Sequence, residues 1–418
     1  MPEISNRGAV IPASPIRMLT PLANGAKARG VKVYHLNIGQ PDLPSPQKGL
    51  DALKTVTRKV LEYSPSEGFL SLRRKLASYY AQYGIHVGEE EIIVTSGGSE
   101  AVLFAFLACL NPGDEIIMTE PGYANYMSFA ITAGVTIRTV TSRIEDGFAL
   151  PSVEEFEAAI TPKTRAILLC NPNNPTGYLY SREELMQIRD IVLAHDLYLF
   201  SDEVYREFIY TGTPYVSAMH LPGIEEHVIM VDSVSKRYSE CGIRIGALVT
   251  RNHAVREAVL KLCQARLSPP LLGQIVAEAS IEGTADYSRE CFLEYLRRRN
   301  FFIERLNRIP GVHSPMPQGA FYTVAQLPVD DAEAFCKWCL SDFVYQDPDW
   351  LARQDDPQLF DSPRRYTGET VMMAPAAGFY QDAALGRDQV RLAYVLKRED
   401  LERALTVLEK ALESYNAR

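Results

Sequence analysis

The sequence predicts an α/β protein: a large domain on a mostly parallel sheet of about seven strands covered by helices, and a smaller α+β domain built from both chain ends. Three observations carry this. Between about residues 90 and 250, short apolar runs alternate with longer segments of helical period. The runs are apolar on both faces, the habit of parallel strands covered from both sides. Outside that region the alternation stops. Residues 1–50 are rich in Pro and Gly, and beyond about residue 290 a long helical stretch is followed by short strand-like pieces.

In chain order the strands are EIIVT (91–95), DEIIMTE (114–120), VTIRTV (135–140), RAILLC (165–170), LYLFSD (197–202), HVIMVDS (227–233) and GALVT (246–250). Between them lie amphipathic helices such as 181–196, where Ser181 and Glu184 stand at capping-box spacing. Helices follow at 287–309 and 398–415. The polar, Pro-broken stretch 346–369 reads as a long loop or lid. The domain expectation is an N-terminal arm and part of the small domain over 1–50, the large domain over 51–290, and the small domain over 291–418 with an insertion near 346–369.

Composition narrows the function. The chain has 418 residues, 46% apolar and 23% charged, with 43 Lys plus Arg against 52 Asp plus Glu and a net charge of −9. An acidic protein has no electrostatic reason to seek phosphate backbones or anionic lipid, so neither nucleic acid nor membrane is an expected partner. No apolar run approaches the ~18–20 residues that span a bilayer, and the N-terminal MPEISNRGAVIPASP lacks the apolar core of a secretory signal. Seven scattered cysteines do not form a disulfide framework. Cys336 and Cys339 make a lone CxxC inside a helix-like apolar stretch and read as packed thiols. No histidine or cysteine spacing marks a metal site. The expectation is a cytoplasmic, metal-free enzyme.

Four segments carry chemistry. Lys236 directly follows the run HVIMVDS, within SVSKRYSECGIRIG, whose small residues leave room for a bulky group. A partly desolvated lysine at a strand end has a lowered pKa and attacks aldehydes, although a solvated surface charge is the default for a lysine. Asp202 ends LYLFSD, so it is either paired structurally or aimed at a ligand at the carboxyl edge of the sheet. NPNNPTG (171–177) at the end of RAILLC has the composition of a turn, yet carries two Asn-Pro units in seven residues. TSGGSEA (95–101) precedes a helix, where backbone N–H groups hold anions. It matches neither GxGxxG nor GxxxxGK[ST], which argues against NAD and ATP. Together these are a phosphate cup, an acid for a ring nitrogen, a donor for a ring hydroxyl and a lysine for an aldehyde: the parts of a pyridoxal phosphate site.

In family order and spacing, NIGQPD (37–42), YSPSEGFLSLR (63–73), TSGGSEA, PGYANY (121–126), NPNNPTG, SDEVY, SVSK with GIRIG, and VRLAY (390–394) resemble the class I/II aminotransferases of pyridoxal-phosphate fold type I, an aspartate aminotransferase-like group. The resemblance implies pyridoxal 5′-phosphate as cofactor and a transamination between an L-amino acid and a 2-oxo acid by a ping-pong course. It implies that Lys236 binds the cofactor aldehyde and moves the proton, that Asp202 partners the ring nitrogen, and that Asn174 and Tyr205 hold the ring hydroxyl. Tyr123 would stack on the ring. Gly98, Ser99, Ser233, Ser235 and Arg244 would hold the phosphate. Arg391 would clamp the substrate α-carboxylate with Gly39 and Asn174. Tyr63 resembles the tyrosine that reaches the neighbouring subunit's phosphate, which implies a homodimer with shared sites.

Three places depart from the pattern: Ser99 where some bacterial aspartate enzymes carry lysine, the 346–369 insertion, and Cys241 in YSECG. The amino donor therefore stays open. Arg17, in SPIRML, reads either as a surface arginine or as a second reader of an aspartate- or glutamate-like side chain, the favoured donor. A carbon–sulfur β-lyase of the same fold would share every cofactor residue. A regulator of this fold would need a DNA-binding module, for which a match starting by about residue 15 leaves no expected room.

Overall fold

The structure is a computed structural model in which residues 2–283, 285–354 and 365–418 are described. Its strands, in chain order, are β1 (Val31–His35), β2 (Ile92–Thr95), β3 (Glu115–Glu120), β4 (Thr136–Thr141), β5 (Thr164–Cys170), β6 (Tyr198–Asp202), β7 (Val228–Ser233), β8 (Gly246–Val249), β9 (Tyr322–Gln326), β10 (Gly368–Met372), β11 (Ala374–Pro375) and β12 (Gln389–Ala393). The chain divides into a large unit (Met1–Pro12, Gln40–Glu294 and Gln318–Ala320) and a small unit (Ala13–Gly39, Tyr295–Pro317 and Phe321–Arg418).

The large unit holds one seven-stranded sheet in the order β2-β8-β7-β6-β5-β3-β4. Six strands run one way and β8 alone runs the other. All seven expected runs are strands, each within one residue of the expected ends, because a strand buried on both faces must be apolar throughout. Every residue of β2, β7 and β8 is buried. The helix Arg182–His195 shows how the crossovers are built. Ser181 Oγ accepts from the Glu184 N–H at 3.1 Å and Glu184 Oε2 accepts from the Ser181 N–H at 2.7 Å, the expected reciprocal cap. Its Leu185, Ile188, Ile191 and Val192, spaced along one helical stripe, join the core with Ile167, Leu169 and Leu199.

The small unit draws on both chain ends. The N-terminal β1 pairs in parallel with β10, and β11-β12-β9 form an antiparallel sheet. The closing helix Arg398–Asn416 buries Leu401, Leu405, Leu408 and Leu412, and its Arg403 Nε donates to both Glu369 oxygens at 2.8 and 2.9 Å. Cys336 and Cys339 are buried in the helix Ala332–Ser341, and burial pushes both thiols up. Part of the 346–369 segment is more regular than a loop: Asp347 caps a short helix, Pro348–Ala352, and β10 starts at Gly368. Residues 355–364 of that expected loop or lid lie outside the described residues. Among the described residues no helix is long and apolar enough to cross a membrane.

Candidate active site

Register sets this site. Cys170 pairs with Asp202 and Asp202 with Val231, while Ser233 pairs with Gly246 and Gly246 with Thr95. The carboxyl ends of β2, β5, β6 and β7 therefore share one sheet edge, where α/β proteins bind ligands.

At that edge β2 turns into the helix Gly98–Cys109 through Gly97, which has φ +82°. A Cβ at Gly97 would stand 2.4 Å from Arg244 Nη2, so only glycine fits. Gly246 is equally bare: its Cβ would lie 2.7 Å from the Gly98 nitrogen. The first N–H groups of the helix, those of Gly98 and Ser99, have no intrahelical acceptor and present positive charge to an anion. Beside them Ser233 Oγ lies 2.7 Å from Ser235 Oγ and accepts from the Ser235 N–H at 3.1 Å. Arg244, in the left-handed region with φ +58°, reaches back through Nη2 to Ser96 O at 3.1 Å and through Nη1 to Cys241 O at 3.0 Å. Backbone N–H groups, two hydroxyls and a guanidinium make a donor set for a phosphate.

Lys236 sits on the one-turn helix Val234–Arg237 that begins where β7 ends, with Nζ 3.9 Å from Cys241 Sγ. Asp202 is buried at the end of β6. Tyr126 OH donates to its Oδ2 at 2.7 Å and the Val204 N–H to its Oδ1 at 3.4 Å. Burial nevertheless outweighs both bonds and pushes the carboxyl up to about 6. A carboxylate in that condition suits a ligand that brings a positive charge. Asn174 Nδ2 donates to Tyr205 OH at 3.4 Å. The Tyr123 ring stands perpendicular to that of Tyr126, centroids 5.3 Å apart, and its hydroxyl accepts from Asn125 Nδ2 at 2.8 Å. Tyr63 is 74% exposed on the large unit.

The other expected residues lie in the small unit. Arg391, in the middle of β12, is buried, donates through Nη2 to Asn37 O, and stands over the Tyr322 and Phe379 rings at 4.7 and 5.2 Å. Such clamping fixes the direction of its fork. Gly39 is placed by the same group. Tyr322 OH donates to Gly39 O at 3.3 Å, and a Cβ on Gly39 would fall 1.8 Å from that hydroxyl. Asn37 Nδ2 donates to Ile16 O at 2.7 Å, which fastens the segment that carries the exposed Arg17.

Sequence reasoning assigned no role to Tyr126, Tyr322, Asp232 or Arg237. Tyr126 stands in the quoted motif PGYANY, but nothing local shows that it points at a carboxylate 76 positions away. A signal did exist for Asp232: a lone acidic residue inside the apolar run HVIMVDS, with basic residues at 236 and 237 to pair with it.

Fold and site together define a class, the α/β enzymes of pyridoxal-phosphate fold type I. Comparison with known proteins agrees. The family model for aminotransferase class I and II matches residues 31–352. An aspartate aminotransferase of Thermotoga maritima is 31% identical over 343 residues, covering 81% of this chain and 89% of the relative. An aromatic-amino-acid aminotransferase 2 of Thermococcus litoralis is 29% identical over 98% of both chains. The solved structure of an aspartate aminotransferase from Thermus thermophilus with maleate superposes with a TM-score of 0.82 at 27% identity, covering 98% of this chain and 100% of that one. The chain belongs to the class I and II aminotransferases. It is a transaminase, and its cofactor is pyridoxal 5′-phosphate.

Proposed function

We propose that this transaminase moves the amino group of an aspartate- or glutamate-like L-amino acid to a 2-oxo acid in a ping-pong course, the first oxo acid leaving before the second enters. The observation that carries the site assignment is the shared sheet edge, which lines up the Gly98 helix N-terminus, Ser233, Lys236 and Asp202. Pyridoxal 5′-phosphate, when bound, supplies an aldehyde that takes up the amino group and a ring that accepts the electron pair released at the substrate Cα.

In this reading the chain's own residues divide the work. Gly98, Ser99, Ser233, Ser235 and Arg244 hold the phosphate. Asp202 holds a proton at the ring nitrogen, Asn174 and Tyr205 hydrogen-bond the ring hydroxyl, and Tyr123 stacks on the ring. Lys236 holds the aldehyde and, once released as an amine, carries the proton away from the substrate Cα. Arg391 accepts the α-carboxylate in its fork, and Gly39 and Asn174 are further donors to the substrate.

Tyr63 serves a second copy of the chain in a homodimer. Its high exposure supports this, with Val60 at 66% and Leu61 at 62% exposed on the same segment. Seven cysteines, all free, support a reducing cytoplasmic setting. The relatives named as aspartate aminotransferases support an acidic donor, and Arg17 is the proposed reader of its side chain. A donor panel tests the substrate: the cofactor's visible absorbance should be lost faster with aspartate and glutamate than with leucine or phenylalanine. Equal or reversed rates contradict the acidic preference.

A further inference from the structure

Behind the candidate site lies a buried ionic cluster whose members alternate in sequence with the site residues. Glu203 follows Asp202, Arg206 follows Tyr205, Asp232 precedes Ser233, and Arg237 follows Lys236. Asp232 and Ser233 are neighbours on β7 and so point to opposite faces, while Glu203, Arg206 and Arg237, past the strand ends, are turned inward by their contacts with one another and with Asp232. All four inward residues are essentially buried.

Their contacts are dense. Arg237 Nη1 donates to Asp232 Oδ1 at 3.1 Å and Nη2 to Oδ2 at 2.5 Å, a bidentate pair. Tyr80 OH donates to Asp232 Oδ2 at 2.8 Å, and Arg206 Nη1 lies 3.4 Å from the same oxygen. Burial alone would raise the Asp232 carboxyl, but the Arg237 and Arg206 charges overcome it and hold it down at about 2. Arg237 also donates to Tyr79 OH at 2.9 Å and covers the Tyr79 ring at 4.2 Å. Arg206 Nη2 donates to Glu203 Oε2 at 3.1 Å, and Glu203 Oε1 accepts from Ser201, Ser217 and the Ala218 N–H.

Stability does not require such a cluster. A buried ion pair is often no better than packed apolar residues of equal volume, whereas a bidentate fork fixes direction. Direction is what this place lacks. The helix that carries Lys236 has four residues, too few to hold its own shape. The Asp232–Arg237 pair closes the chain across Ser233, Ser235 and Lys236, and Arg206 and Glu203 extend the hold to the end of β6, where Asp202 sits.

We propose that Arg237, clasped by Asp232, is a positioning residue for the transamination: the pair fixes the loop so that Lys236 and the two serines keep their places at the sheet edge. The inference rests on the reading of Lys236, Ser233 and Ser235 given above. The test compares Arg237→Lys, Arg237→Gln and Asp232→Asn holoenzymes with wild type. Lysine keeps the charge and loses the fork. The double variant D232N/R237Q removes both charges and leaves no orphaned ion, so it serves if a single variant fails to fold. Arg403→Met, which breaks a partly buried pair in the small unit, is the control for general destabilisation.

The expected result is a kcat lower by about 10- to 100-fold with KM for the amino donor changed less than about twofold, the scale of a displaced catalytic group. Cofactor dissociation should be at least about tenfold easier and the pH midpoint of its visible absorbance displaced, whereas Arg403→Met should lower Tm and move neither. Variants at 232 and 237 that lower Tm like the control, but leave kcat, cofactor dissociation and the midpoint at wild-type values, overturn the proposal. So does a wild-type Arg237→Lys. Lys236→Ala separates the two layers. If it keeps the wild-type absorbance midpoint and rate, the reading of Lys236 itself fails. If it loses them while the 232 and 237 variants do not, only the clasp fails.

Discussion

The Tyr126 phenol donates to Asp202 Oδ2 at 2.7 Å, yet burial still carries the Asp202 carboxyl up to about 6. One neutral hydrogen bond does not replace the water that the carboxylate has lost. The site is built with an unmet need for positive charge at the end of β6.

This has a consequence for the cofactor-free protein. The folded chain keeps the Asp202 proton to about pH 6, and the unfolded chain releases it near the ordinary 3.8. Between those values the folded chain binds more protons, so its stability is full below about pH 4 and falls as the pH rises through 6. The gap corresponds to about 3 kcal/mol. Asp202→Asn without cofactor should therefore be more stable than wild type at pH 8, with the difference gone at pH 4. Denaturant unfolding at both values measures this. The same variant with cofactor should lose about 100-fold or more in the rate of the donor half-reaction, since the charge at the ring nitrogen is gone.

Lys236→Ala should fold, bind cofactor through the phosphate donors, and lose at least about 1,000-fold in kcat. Borohydride should fix the cofactor to Lys236 in the wild type and to nothing in the variant, as peptide mapping shows. Normal turnover by Lys236→Ala removes this residue from the mechanism.

Mixing subunits tests Tyr63. A Tyr63→Ala chain and a Lys236→Ala chain, each inactive alone, should regain activity when mixed, because one site per heterodimer keeps its own Lys236 and receives the partner's intact tyrosine. Proven subunit exchange with no regain contradicts the shared site.

The large sheet was legible because burial on both faces forces apolar runs such as RAILLC and HVIMVDS, and the charges at or just past the ends of such runs, Asp202 and Lys236, stand out against them. Long-range partners were not legible. Gly39 was picked out by resemblance, but the reason it must be glycine is the hydroxyl of Tyr322, 283 positions away. The short helix Pro348–Ala352 was hidden because one capped turn, started by Asp347 and Pro348, has no periodicity to read. Arg237 carried no assigned role in the sequence. The structure shows it buried and in bidentate contact with Asp232.

Substrate choice is tested at two arginines. Arg391→Lys should weaken every donor, since the buried planar fork matches the α-carboxylate that all donors share and a lysine has no fork. Arg17→Ala should cost on the order of 2–5 kcal/mol in kcat/KM for aspartate, the scale of a broken charge pair, and little for leucine. An equal loss on both, or none, removes Arg17 as the reader and points to a neutral or aromatic donor.

The most direct test of the account counts product from the holoenzyme given excess aspartate and no acceptor. A ping-pong transaminase should release one equivalent of 2-oxo acid per subunit, no ammonia, and then stop until an oxo acid is added. Given excess S-alkylcysteine in place of aspartate, pyruvate, thiol and ammonia that keep accumulating beyond one equivalent without an acceptor would contradict the account and mark an eliminating enzyme.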